Sequence, residues 1–72
     1  MSNYINDAIQ IDFPLSKTLK DLIREAEELD AKRDTEYFCV ASMIDVIAKE
    51  NVALGKLTRN QWDLLCEKYP QD

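Results

Sequence analysis

The chain has no histidine, a single glycine, two prolines and two cysteines in 72 residues. Each shortage removes a class of chemistry. Without histidine, and with Cys39 and Cys66 standing apart instead of in close-spaced pairs, a tetrahedral zinc shell lacks ligands, so no metal is expected. One glycine leaves neither a glycine-rich phosphate cradle nor a nucleophile elbow, and acid–base catalysis loses its commonest residue. No catalytic residue and no cofactor are expected, and the chain reads as a non-enzyme. The longest unbroken apolar run, Tyr37 to Ala41, is too short to cross a bilayer, and the first positive charge, Lys17, comes too late for a secretion signal. The expectation is a cytoplasmic protein whose cysteines are buried free thiols.

What is present concentrates between Glu36 and Leu54, where thirteen of nineteen residues are apolar and surround a helix instead of striping one side. A helix apolar all round needs cover all round. Helical spacing sets Tyr37, Val40, Met43, Ile44, Ile47 and Ala48 on one broad side. The other side mixes Phe38, Cys39, Val46 and Ala53 with Ser42, Asp45, Lys49 and Glu50. Asp45 and Lys49 are spaced to pair one turn apart. Gly55 sits where a left-handed helix stop is wanted.

Two more helices follow from pattern. Leu15, Leu19, Leu22, Ala26 and Leu29, widened by Ile23, form one apolar stripe. The helix starts at Pro14 as a first helical residue or at Ser16 as a cap. Thr58-Arg59-Asn60-Gln61 matches a capping box, with Leu57 and Trp62 in the positions of a hydrophobic staple. Trp62, Leu65, Cys66 and Tyr69 then recur at helical spacing until Pro70, with Trp62 expected as the central core anchor. The expected fold is all-α, a compact three-helix domain spanning residues 1–72, with helices at about 15–32, 36–54 and 59–69. Residues 1–13 form an N-terminal arm, irregular or briefly helical, whose Ile11 and Phe13 pack onto the rest.

Function is less legible than fold. A 72-residue domain has a small core, and the second apolar side of the central helix must be covered by the arm, through Ile9, Ile11 and Phe13, or by another chain. This points to a small acidic protein-interaction module with an accessory or regulatory role. Its expected partner is a second copy, as a homodimer, or another protein, and its interface comprises Phe38, Cys39, Val46, Ile11 and Phe13. The net charge is −5, with Glu25, Glu27, Glu28 and Asp30 forming an acidic patch that could face a basic groove, although a solvated face laced by Arg24–Glu28 and Glu28–Lys32 pairs is the favoured explanation. The alternative is a helix-turn-helix DNA-binding regulator, with Arg59, Asn60 and Lys68 as contacts. Asp63, Glu67 and the overall acidity oppose it, so nucleic acid is not the expected partner, and neither is a membrane.

Tyr37-Phe38-Cys39-Val40-Ala41-Ser42-Met43-Ile44-Asp45, with Gly55-Lys56-Leu57-Thr58 and Gln61-Trp62 to Lys68-Tyr69-Pro70, resembles small uncharacterised helical proteins of bacterial mobile elements. The likeness covers about the C-terminal half. It implies a bacterial, cytoplasmic, accessory protein and brings no activity, cofactor or catalytic residue with it.

Overall fold

Ser16 decides where the first helix begins, because its hydroxyl accepts the Leu19 amide at 3.3 Å and leaves Pro14 outside the helix. In the computed structural model, which describes residues 2–71, the helices are α1 (Lys17–Ala31), α2 (Tyr37–Ala53) and α3 (Arg59–Lys68). The expected domain and arm also include residues 1 and 72, which lie outside the described range. The all-α, three-helix architecture stands, and no strand occurs among the described residues.

α1 and α2 end in the same way. In each, the N–H two residues past the cap reaches back to a carbonyl in the last turn: Asp34 to Leu29 at 2.9 Å, and Lys56 to Asn51 at 2.8 Å. Both stops need a residue with positive φ, supplied by Gly55 (φ 75) after α2 and by Arg33 (φ 54) after α1. A left-handed arginine costs about 1 kcal/mol or more. Two contacts from the arm hold it: the Arg33 guanidinium donates to the Asn3 side chain at 3.0 Å, and the Tyr4 hydroxyl donates to the Arg33 carbonyl at 3.1 Å. α3 begins with the full capping box, Gln61 N–H to the Thr58 hydroxyl at 3.1 Å and Thr58 N–H to the Gln61 side chain at 2.9 Å.

The core lies between the three helices and is filled by Leu19, Leu22 and Ala26 from α1, Tyr37, Val40, Ile44 and Ala48 from α2, Leu65 from α3, and Ile5 from the arm. Burial of Leu19, Ile44 and Leu65 contributes about 1.5 to 3 kcal/mol each. Buried Asn51 joins the start of α1 to the end of α2, donating from its side chain to the Ser16 hydroxyl at 3.2 Å.

Three expectations about the core are corrected. Trp62 is half-buried at the rim, and fully covered Leu65 holds the centre. Met43 is 53% exposed, because the covered sector of α2 is centred nearer Tyr37, Ile44, Ala48 and Asn51. Cys39 is exposed, whereas Cys66 is half-buried, and both are free thiols. On α1, Arg24 pairs weakly with Asp21 at 3.8 Å in place of Glu28, the one ion pair among the described residues.

Candidate interaction surface

α2 is the middle layer, so what it can do depends on which of its sides the other segments close. The arm closes one. Asp30, near the end of α1, is only 4% exposed, and its carboxylate accepts the backbone N–H groups of Asn3 (3.1 Å), Tyr4 and Ile5 (3.1 Å). Three consecutive amides form an anion-binding concavity that this side chain fills. Asn3 also donates from its side chain to the Asp30 carbonyl at 2.6 Å. Farther along, the Asn6 N–H donates to the Lys68 carbonyl at 2.8 Å, and the Lys68 ammonium donates to the Ile9 carbonyl.

So fixed, the arm lays Tyr4 against Tyr37 (ring centroids 5.1 Å apart) and Phe38 (4.8 Å). Phe38 is therefore half-buried by the chain itself, and Tyr4 covers it where Ile9, Ile11 and Phe13 were expected to. Ile11 and Phe13 do pack, half-buried, against the core. The Tyr37 hydroxyl beneath is the one buried side-chain N or O atom among the described residues with no hydrogen-bond partner. Burial, with Asp30 and Tyr69 nearby, pushes its pKa upward.

Two turns further along the same flank of α2, a knot of polar side chains closes it again. Asp45 receives the Trp62 indole N–H at 2.7 Å, the Gln71 amide at 2.9 Å and the Cys66 thiol at 3.2 Å. These partners replace the expected pairing with Lys49. The Trp62 bond is the chief reason the Asp45 carboxyl titrates below the usual aspartate range. Burial, reinforced by that carboxylate, pushes the Cys66 thiol up to about 12, so it is a poor nucleophile.

Beyond that closed flank, on the side of α2 turned away from the core, runs an open strip. Val46 is 61% exposed and Met43 53%, with Ile47 and Ser42 beside them around an apolar hollow of about 170 Å³. Cys39, one turn earlier, is exposed too. Of the expected interface, Cys39 and Val46 stand together here, while Phe38, Ile11 and Phe13 belong to the arm's contact with the core. Met43 was assigned to the wrong side of the helix. The signal that identifies it is the series Glu36, Cys39, Met43, Val46, Glu50, Ala53, spaced alternately three and four residues apart and exposed at every member.

The remaining expected sites are dispersed. Glu25, Glu27 and Glu28 are exposed, but Asp30 is withdrawn from that patch by the arm's amides. Glu27 and Asp30 line a cleft of about 250 Å³ with Asp7 and Lys68. Asp7 there accepts the Ser2 hydroxyl at 2.9 Å, a bond that keeps its carboxyl below the usual range, and Lys68 is tied to the arm. Burial, with Glu27 and Asp7 nearby, raises the Tyr69 phenol to about 12. Arg59 and Asn60 are exposed on the first turn of α3. Lys68, the third expected DNA contact, is instead half-buried and bonded to arm carbonyls.

No group of three metal-ligating side chains occurs among the described residues, and no described helix is long and apolar enough to cross a membrane. Comparison of the chain with known protein families, curated proteins and solved structures returns no match.

Proposed function

We propose that this chain is a small acidic protein-interaction module, without catalysis of its own, that receives a helix on the outer strip of α2. The observation that carries the reading is the exposure of Met43 and Val46 side by side on the outer face of a helix whose core side is sealed and whose one flank is occupied by Tyr4 on Phe38 and by the Asp45 knot. Apolar side chains left together on a small domain lose water on association, and helices with alternating three- and four-residue spacing pack on other helices. A second copy of the chain and a different protein both meet that requirement. An accessory or regulatory role in a bacterial cytoplasm is the setting we propose for it.

The helix-turn-helix reading has less support. Asn60 shares its surface with Asp63 and Glu67, carboxylates that repel a phosphate backbone.

Amide NMR spectra recorded across a dilution series, and again during titration with an amphipathic helical peptide, test the proposal. Shifts confined to the stretch from Cys39 to Ala53, and abolished by Val46→Asp, are expected in at least one series. The reading is overturned if neither series shifts that stretch, or if duplex DNA moves Arg59 and Asn60 instead.

A further inference from the structure

The outer strip of α2 carries charge as well as apolar surface, and the charges are all of one sign. Glu36, Cys39, Met43, Val46, Glu50 and Ala53 follow the seam positions of a coiled-coil heptad, and all six are exposed. Glu36 already has helical backbone angles, so the seam starts with it, one residue before the first turn of α2. The two glutamates stand two heptads apart, about 21 Å along the axis, with Met43 and Val46 between them. Neither takes part in an ion pair among the described residues. Beside the seam, Ile47 and 62%-exposed Leu54 extend one flank as apolar surface, while Ser42 and Lys49 make the other flank polar.

A second copy answers this pattern poorly. In parallel pairing each glutamate meets its own equivalent. Antiparallel pairing layers Met43 with Val46 but sets Glu50 against Cys39 and Glu36 against Ala53, while Lys49 on the flank faces Ser42. In both arrangements a carboxylate enters the seam with no cation opposite it, and desolvating an unpaired charge is unfavourable. A partner helix with ammonium or guanidinium groups at those two layers removes the penalty and gains electrostatic steering toward a protein of net charge −5.

Resting on the interaction reading above, we propose that the strip binds a basic amphipathic helix. That helix carries lysine or arginine at two seam positions two heptads apart, opposite Glu36 and Glu50, and apolar side chains between them, opposite Met43 and Val46. The cations set partner choice and register, and the central apolar layers hold the pair together.

The test uses two fluorescently labelled synthetic helical peptides with identical apolar seams, one with lysine and the other with glutamate at the two outer layers. Anisotropy titrations at low salt should show the lysine peptide binding about tenfold or more tightly, a margin that shrinks as salt is added. Glu36→Lys with Glu50→Lys should invert the preference, and Val46→Asp should abolish binding of both peptides. Circular dichroism serves to verify that these surface variants fold. Equal affinity for the two peptides, lost in Val46→Asp, overturns the charge rule while leaving the strip as a docking site. Concentration-dependent dimerisation sensitive to Val46→Asp, with neither peptide bound, also overturns it and makes a second copy the occupant. A monomer that binds neither peptide removes both this inference and the interaction reading beneath it.

Discussion

The inner and outer sides of α2 are built from similar side chains. Val40, Ile44 and Ala48 face inward and Cys39, Met43, Val46 and Ala53 outward, yet the first group is sealed and the second lies open. Hydrophobicity therefore does not decide which side of this helix is core. The decision lies with what the neighbouring segments can reach. α1 and α3 pack on the inner sector, the arm is pinned by Asp30 over Phe38, and the Asp45 knot holds Trp62 to the same flank two turns on. An apolar surface that the chain leaves uncovered after satisfying its own polar groups is available to another molecule.

Three tests break or sharpen that contrast, and the one with the largest expected effect is on the inner side. Ile44→Ala should lower unfolding free energy by about 2 to 5 kcal/mol, enough to unfold much of a domain this small, whereas Val46→Ala should change it by less than about 0.5 kcal/mol. Urea denaturation followed by circular dichroism measures both, and comparable losses would show the outer side to be core as well.

Next is the pin. Asp30→Asn leaves an uncharged acceptor in front of three amides, with an expected loss of about 2 kcal/mol and faster hydrogen exchange at Asn3, Tyr4 and Ile5. It should also uncover Phe38, so that the open surface spreads from the strip toward the arm. Unchanged exchange at those amides would mean that the aromatic contacts alone hold the arm.

The smallest effect belongs to the knot. The folded-state pKa of Asp45 is depressed, so its stabilisation is complete above the ordinary value of 3.8 and is lost as pH falls through the folded-state value. Asp45→Asn should cost about 1 kcal/mol at neutral pH, kept modest by solvent screening at this half-exposed site, and the wild-type and variant stability curves should converge in acid. A gap that persists to low pH would assign the effect to packing of Trp62 rather than to charge.

The readable parts of the sequence were those whose cause is local. Ser16, Gly55 and the Thr58–Gln61 box each act within five residues, and the stripe of α1 repeats every turn, so the three-helix, all-α architecture followed from them, while the choice between Pro14 and Ser16 as the start of α1 stayed open. The candidate surface depended on partners far away in the chain. Asp30 looked like any exposed acid until residues 3 to 5 were brought to it across 25 residues or more, and Asp45 looked like a mate for Lys49 until Trp62 arrived from α3. Tyr4 could not be chosen over Ile11 and Phe13 as the cover for Phe38, because nothing in alternation or spacing fixes where an irregular segment lies. Met43 and Ile47 differ by one turn and share a helix sector, and a shift of a few tens of degrees in the buried sector sends one out and leaves the other half-covered.

The arm's attachments also bear on the order in which the molecule assembles. Helices form from neighbours in sequence, and α1 and α2 are joined by a short turn, so these contacts close early. Asn6 must wait for Lys68, 62 residues away, and the left-handed Arg33 is unsupported until Asn3 and Tyr4 reach it. The segment that a ribosome releases before the helices is thus expected to be placed after them, its contacts spanning 25 to 62 residues, and until it docks Tyr37 and Phe38 lack their cover. By chain separation alone, the stage of folding expected to be most exposed is the one in which the helices are formed and their aromatic corner still lacks its cover.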